Sequence, residues 1–185
     1  MTFSISGFCK RTGMVGVAIT TSSISVASRC PWIRAGVGAA ATQNITDPSL
    51  GNLMLDGLEQ GKTPDQVISD LVNGRDFIEY RQLALIDAKG QSASFTGNQT
   101  LGTNAVVQGN DCIAAGNILI TTAVPQAMAD TFAQHSQLHL AQRLLLALQA
   151  GVDAGGEEGP VHSAGLKVAH IHPWPLVDLR VDWAD

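Results

Sequence analysis

The amino-acid sequence predicts an α+β fold, an αββα sandwich in which two antiparallel sheets pack face to face between two pairs of helices. The predicted elements follow the order strands, helix pair, strands, helix pair, strands, whereas a doubly wound parallel sheet requires single strands and helices in alternation. Residues 35–43 (AGVGAAATQ) are small and apolar without polar alternation, which is typical of a strand buried on both faces. Only 15% of the residues are charged, as expected when several segments are buried on two sides.

Apolar periodicity assigns the remaining elements. Strands are predicted over residues 3–8, 14–20, 82–86, 91–96, 163–171 and 176–183. Helices are predicted over residues 48–60, 64–73, 124–134 and 138–149. The second helix has Thr63 as its N-cap, Pro64 at its first position and Gln66 to complete a capping box. Residues 90–110 are uncharged and rich in Gly, Asn, Gln and Thr, so they form either a ligand-binding loop or an ordinary surface loop.

Length and composition exclude several classes of protein. The 185 residues suit one domain, residues 1–185, and the net charge of -5 without any Lys/Arg run argues against nucleic acid or an anionic membrane as a partner. No segment approaches the ~20 apolar residues of a spanning helix, and residues 1–7 lack the basic start of a signal peptide. Three widely spaced cysteines fit neither a disulfide framework nor a zinc site. We therefore expect a soluble cytoplasmic protein.

The candidate catalytic residue with the clearest chemistry is Thr2. Removal of Met1 would leave Thr2 with both a hydroxyl group and a free α-amine. The reference pKa of an α-amine is near ~8, so part of the amine is neutral at cellular pH and can accept the proton of the hydroxyl. Thr2 and its own amine would then do the work of a Ser–His pair. The predicted strand that follows Thr2 anchors this terminus, which a catalytic group requires.

A series of short motifs resembles the domain-of-unknown-function family 1028 over almost the whole chain. The matching segments, in order, are TFSI (2–5), GVAIT (16–20), AGVGAAATQ (35–43), RQLALIDAKG (81–90), TG (96–97), GNIL (116–119), LAQRLLLALQAG (140–151), AGG (154–156) and DLRVD (178–182). The resemblance implies an N-terminal-nucleophile (Ntn) hydrolase fold with Thr2 as the suspected nucleophile. The segment after AGG departs from the family pattern, because it lacks a basic residue and has His162 in place of a Gln. If this segment binds substrate, we expect altered specificity.

Other residues are assigned supporting roles. Arg34 has a spacing from Thr2 that resembles that of the basic residue of threonine-type Ntn hydrolases, although a solvated strand-end Arg is the simpler interpretation. Thr42 and Asn117 are candidate oxyanion donors. The candidate substrate-binding residues are Gln43, Asn44, Arg81, which could hold a carboxylate, and His162.

The sequence thus favours a hydrolase of a small amide-type bond (N-acyl, N-carbamoyl or short peptide) that forms an acyl-Thr2 intermediate and needs no metal or organic cofactor. The expected partners are a small-molecule substrate and further copies of the chain. One alternative is a non-catalytic ligand-binding or assembly protein on the same fold. Another is a metal-dependent hydrolase that uses His162, His170 and His172, of which the last two share one strand face.

Overall fold

The computed structural model describes residues 1–185 and contains ten β-strands and four α-helices. The strands are β1 (Thr2–Phe8), β2 (Val15–Thr21), β3 (Pro31–Arg34), β4 (Gly38–Asn44), β5 (Arg81–Asp87), β6 (Ser92–Thr96), β7 (Ala105–Gly109), β8 (Cys112–Asn117), β9 (Ser163–Ala169) and β10 (Val177–Val181). The helices are α1 (Ser49–Glu59), α2 (Pro64–Val72), α3 (Val124–Gln134) and α4 (Leu140–Asp153).

The strands form two sheets in which all neighbours are antiparallel. Sheet A has the order β10-β9-β2-β1-β8-β7, and sheet B has the order β3-β4-β5-β6. The N-terminal strand β1 therefore lies inside sheet A, with β2 and β8 on its two sides. This position fixes the start of the chain by hydrogen bonds along both edges of the strand.

Each sheet buries one face against a helix pair and the other face against the second sheet. Phe3 and Ile5 of β1 pack with residues of α3 and α4, such as Phe132 and Leu144. A second cluster lies between the sheets, and its members are Val15, Val17, Ile113 and Ala115 from sheet A and Ala39, Ala41, Ala84 and Ile86 from sheet B. On the far side of sheet B, Leu83 and Leu85 pack against α1 and α2. The predicted burial of β4 on both faces is confirmed.

The two ends of the sheets differ in the connections that they carry. At one end, called here the hairpin end, turns over residues 9–14, 35–37, 88–91, 110–111 and 170–176 join strands that are neighbours in one sheet. At the opposite end, called the loop end, residues 22–30, 45–48, 73–80, 97–104, 118–123 and 154–162 connect strands to other strands and to helices, and four of these segments have eight or nine residues. Loops of this length, held by a rigid scaffold, commonly carry binding and catalytic groups.

Three bulky or branched residues at the loop end have left-handed backbone. They are Asn44, Phe77 and Ile118, with φ of 72°, 59° and 50°. A β-branched residue such as Ile118 rarely adopts this conformation, and such outliers concentrate at functional sites. Ser25 and four glycines of the loop end also have positive φ, whereas the hairpin end has one such non-glycine residue, Asp111, beside Gly13, Gly36 and Gly90. The left-handed backbone of Phe77 and Ile118 therefore makes the loop end the candidate location of a functional site.

The helix predictions are largely confirmed. The bounds of α3 coincide with those predicted, and Thr63 and Gln66 form the expected capping box before α2. Helix α4 begins two residues later than predicted and continues to Asp153. None of the helices combines the length and the apolar character that are needed to cross a bilayer.

Three strands, β3, β7 and β8, were not predicted, and a fourth, β4, begins later than predicted. Residues 35–37 form the turn of a β3–β4 hairpin, so the predicted strand over residues 35–43 begins only at Gly38. The uncharged stretch 90–110 is not one loop, because it contains the predicted strand β6 and also β7. Gly36, with φ 71°, allows the β3–β4 turn, and the apolar residues of β3 are too few to show a period.

We expect Gly38→Ala to destabilise the protein by about 1–3 kcal/mol, because a Cβ at this position would lie 2.3 Å from the backbone oxygen of Ile86 and 2.8 Å from the Leu58 side chain. Urea unfolding followed by circular dichroism measures the change. The matched control is Gly159→Ala, whose Cβ would meet only the tip of the Met1 side chain at 3.3 Å and should cost less than about 0.5 kcal/mol. Equal effects would show that close packing does not explain Gly38.

Candidate active site

Thr2 lies at the loop end of β1, and its side chain faces the layer between the two sheets. Side chains alternate along a strand, and Phe8, six residues later, belongs to the intersheet cluster while Phe3 and Ile5 face the helices. Thr2 is only 6% exposed. Its hydroxyl lies 3.1 Å from the hydroxyl of Thr21 on the neighbouring strand β2. Both hydroxyls donate to the carbonyl oxygen of Met1.

A chain of buried amides crosses from sheet A to sheet B beside Thr2. The Ser4 hydroxyl donates to Gln43 Oε1 over 2.8 Å, and Gln43 Nε2 donates to Gln82 Oε1 over 2.8 Å. Asn117 Nδ2 donates to the same Gln82 oxygen over 3.2 Å. Gln82 Nε2 in turn donates to the backbone oxygen of Gly116 over 3.0 Å. None of these four side chains is more than 1% exposed.

The backbone carbonyl of Gly116 fixes the orientation of every amide in this chain. A carbonyl oxygen can only accept, so the Nε2 group of Gln82 must face it and Oε1 must point the other way. That oxygen needs donors, which places the Nδ2 group of Asn117 and the Nε2 group of Gln43 against it. Asn117 Oδ1 is then directed elsewhere, and it is a buried acceptor without a hydrogen-bond partner. Because Asn117 pairs with Thr2 across β1 and β8, this acceptor lies beside the start of the chain.

A second buried acceptor near the chain start is the carboxyl group of Glu157. The residue is 4% exposed, and neither carboxyl oxygen makes a hydrogen bond of good geometry. An isolated bridge between Leu119 and Glu157 holds the residue beside the segment that follows Asn117. Burial raises the pKa of Glu157 to about 7, and the nearby amino terminus, Ser22 and His162 only partly offset this effect. A buried carboxyl group in this position is a candidate partner for a further donor or a cation.

The structure brings some of the predicted site residues together. Gln43 and Asn117 belong to the amide chain, and Asn44 ends the same strand β4, where its side-chain oxygen accepts from the Leu101 amide over 3.2 Å. Arg81, opposite Asn44 in the β4–β5 register, donates to the backbone oxygen of Ile45. His162 also lies at the loop end, where its backbone amide donates to Thr21 O over 2.9 Å.

Two predicted residues lie away from Thr2. Arg34 is at the hairpin end of β3, where it pairs with Asp56 at 2.8 Å and Glu59 at 2.7 Å on α1. Thr42 lies on the face of β4 opposite to Gln43, and its hydroxyl donates to Asp47 O over 3.2 Å on the helix side of the sheet. Spacing from Thr2 could not place Arg34, because the β3–β4 turn carries it to the other end of the sheet. Thr42 and Gln43 cannot share one site, because successive side chains of a strand point to opposite faces of the sheet.

The three histidines of the alternative metal site are not together. His162 precedes β9 and stacks on Trp183 with ring centroids 4.2 Å apart. His170 follows β9, at the hairpin end, and its Nε2 contacts Thr12 O at 2.8 Å. His172 stacks on Trp174. No group of three His, Cys, Asp or Glu side chains in the chain is close enough to hold a metal ion, so the predicted sharing of one site by these histidines is wrong.

A family model described as a family of unknown function (DUF1028) matches residues 2–185. The chain belongs to the DUF1028 family. The crystal structure of another DUF1028 protein, from Silicibacter pomeroyi, has a TM-score of 0.91 and 33% sequence identity over 99% of this chain and 79% of that chain. The Anbu (ancestral beta-subunit) protein from Yersinia bercovieri matches with a TM-score of 0.43 and 9% identity, over 97% of this chain and 86% of that chain. No curated protein matches the chain.

Three polar residues of this DUF1028 chain were not predicted as site residues, namely Thr21, Gln82 and Glu157. A weak signal for Gln82 exists, because Gln82, like Gln43, adjoins the apolar part of a strand at its polar end. A polar side chain in such a strand needs a partner inside the protein. Glu157 carries no comparable signal, since a Glu in a Gly-rich segment is usually solvated.

We expect Gln82→Met in this DUF1028 chain to destabilise the fold by about 2–4 kcal/mol. The substitution keeps the length of the side chain but leaves the amide donors of Gln43 and Asn117 and the Gly116 carbonyl without partners. Urea unfolding at neutral pH measures the loss. Gln91→Met, at an exposed position, is the control and should change stability by less than about 0.5 kcal/mol. A loss below ~1 kcal/mol for Gln82→Met would mean that water satisfies these groups.

Glu157 predicts a definite pH dependence of stability. Its pKa is raised in the folded chain, so its contribution to stability is fully present below its ordinary pKa near 4.5 and is lost as the pH rises through about 7. The difference in unfolding free energy between the parent chain and Glu157→Gln should therefore change by roughly 1–3 kcal/mol between about pH 5 and about pH 8, with the parent losing stability at higher pH. Glu158→Gln, at the exposed neighbouring position, should leave the pH profile unchanged. A constant difference for Glu157→Gln would contradict the buried carboxyl group.

Proposed function

We propose that the chain adopts the four-layer αββα sandwich of the Ntn hydrolases and hydrolyses a small amide-type bond with Thr2 as its nucleophile. The observation that supports this proposal is the place of Thr2 at the loop end of an inner strand. Its side chain faces the intersheet layer, beside two buried acceptors that lack partners, Asn117 Oδ1 and the Glu157 carboxyl group. Removal of Met1 would create an α-amine with donors for such acceptors.

In the proposed reaction, the α-amine of processed Thr2 accepts the hydroxyl proton while Oγ attacks the carbonyl carbon of the amide. The tetrahedral intermediate collapses as the ammonium returns that proton to the leaving amine, which leaves an acyl ester on Thr2. Water then attacks the ester carbonyl while the amine takes its proton, and the ammonium returns that proton to Thr2 Oγ as the carboxylic acid departs. No cofactor is needed for these steps.

Thr21 and Asn117 are the proposed donors to the oxyanion. The Thr21 hydroxyl lies 3.1 Å from Thr2 Oγ and already donates to a carbonyl oxygen, that of Met1. The Asn117 amide has a second N–H besides the one that Gln82 accepts. In this proposal Thr21, and not Thr42 as predicted from the sequence, donates to the oxyanion. The proposed role of Glu157 is to hold the α-ammonium in place and to balance its charge.

An apolar groove at the loop end suggests which amides fit. It has a volume of about 330 Å³ and is lined by Ile45, Phe77, Tyr80, Arg81 and Leu101. The Asn44 side chain bonds both Tyr80 O and the Leu101 amide, and Leu101 O accepts from the Ile118 amide, next to Asn117. The proposed substrate is an amide with an apolar group for this groove and a carboxylate for the guanidinium of Arg81.

The intact mass of the untagged chain should be lower, by one methionine residue, than the mass of the full sequence. The chain should also release amine from N-acyl substrates that bear a carboxylate. Thr2→Ala should lower kcat by at least about a thousandfold, while Thr2→Ser should keep a substantial part of the activity because it retains both hydroxyl and amine. A chain with an N-terminal tag keeps the hydroxyl but lacks the free amine, so it should be as inactive as Thr2→Ala.

The competing function is a non-catalytic ligand-binding or assembly role on the same fold, in which Thr2 is only the first residue of β1. The same experiment separates the two functions. Retention of Met1 in protein from the native host, or turnover that survives in Thr2→Ala, would reject the Thr2 mechanism.

A further inference from the structure

The strand β10 forms one border of sheet A and has an unpaired edge. It pairs with β9 on one side only. Proteins protect such an edge with short strands, charged side chains, proline, a bulge or a covering segment. The sequence of β10, VDLRV, contains no proline and no lysine, and four of its five residues are exposed. Its two charged residues, Asp178 and Arg180, have opposite signs, so they repel a partner strand only where it presents like charges.

The face of β10 that carries Leu179 and Val181 is apolar and only partly covered. Leu179 is 61% exposed, and Leu145 on the adjoining helix α4 is 56% exposed. Together with Leu148, Leu166 and Val181 these residues line a groove of about 250 Å³ between the strand and the helix. Apolar side chains of this size, gathered beside an unpaired strand, are typical of an interface.

The opposite face of β10 carries charges of alternating sign, and these charges determine which strand can pair with it. Asp178 and Arg180 share this face, and Asp182 follows them. A second copy of β10 can pair antiparallel about a two-fold axis perpendicular to the sheet, which leaves each residue on its original face. The possible registers then differ only in the residue through which the axis passes.

The register centred on Leu179 is the one that pairs the whole of β10 and brings opposite charges together, whereas an axis at Val181 would pair Arg180 with Asp182 but would leave Val177 and Asp178 outside the paired strands. It places Asp178 against Arg180 of the second copy at two symmetric positions, and it places Val177 against Val181. An axis at Arg180 would oppose two Arg180 residues and would set Asp178 against Asp182. An axis at Asp178 would oppose two Asp178 residues. Opposite-charge pairs stabilise facing strands and like charges destabilise them, so β10 is complementary to itself over its whole length in one register.

We propose that two copies of the chain form a two-fold dimer through antiparallel pairing of β10, centred on Leu179, which joins their six-stranded sheets edge to edge. The ion pair of 2.6 Å between Arg180 and Asp182 within one chain is exposed, so its exchange for pairs with Asp178 of the second copy costs little. The loop end of each copy stays open, because β10 borders the sheet on the side away from β8 and β7.

Charge reversal tests the register. Sedimentation equilibrium of the full chain over a dilution series should give a dimer, and Arg180→Glu should raise the dissociation constant about tenfold or more, because it sets two Asp178–Glu pairs face to face. The double variant Asp178→Arg with Arg180→Asp restores opposite charges in the same register and should restore the dimer. Circular dichroism shows whether each variant remains folded.

A cysteine substitution tests the axis directly. Leu179→Cys should form a disulfide between two copies under mild oxidation, because facing residues across a two-fold have Cα atoms within disulfide range, and the native cysteines are all buried. Leu176→Cys is the matched control, since its two copies would be about 20 Å apart and should not cross-link. A monomeric parent chain, or a dimer that Arg180→Glu leaves unchanged and Leu179→Cys does not cross-link, would overturn the proposal.

Discussion

Three side-chain hydrogen bonds join the two sheets at the loop end, and the one that orients the amides of the others runs from the Gln82 side chain in sheet B to the backbone oxygen of Gly116 in sheet A. Two sheets that meet through small apolar side chains such as Ala39, Ala41 and Ala84 could slide with little penalty. A buried amide removes that freedom, because an unpaired polar group in this layer costs about 1–3 kcal/mol. Gln82 therefore sets the register of the two sheets at the end where Thr2 lies.

This bond also determines the chemistry that is available beside Thr2. Since Gln82 must present its oxygen to Asn117 and Gln43, Asn117 must present its own oxygen toward the start of β1. Acceptors therefore lie beside the chain terminus, namely Asn117 Oδ1 and the Glu157 carboxyl group, together with the Thr21 hydroxyl, which can donate. In the proposed mechanism these acceptors bind the α-ammonium that forms when the amine of processed Thr2 takes up the hydroxyl proton.

The sequence predicted those parts of the molecule that depend on local patterns. The helix α3 and the capping box at Thr63 follow from spacing along one element, and the burial of β4 follows from its composition. Arg34 was placed by its distance along the chain, and this measure fails when a hairpin turn intervenes. Thr42 and Gln43 were placed at the end of one strand, but their side chains lie on opposite faces of β4, so only Gln43 joins the amide chain. Asn117 was placed at the end of the uncharged stretch, without a predicted strand, and it also lies in the amide chain.

Glu157 could not have been predicted from its neighbours, because its burial results from contacts that span the chain. The segment around it is held by backbone bonds from Ile120 to Gly156 and from Glu158 to Ile118, next to the left-handed residue Ile118. The strained backbone of Ile118 and the unpaired carboxyl group thus occur in the same pair of segments. Each feature costs free energy, and a fold retains such features when they serve binding or catalysis. Their joint occurrence beside the start of β1 is a stronger argument for a functional site than the threonine that follows Met1.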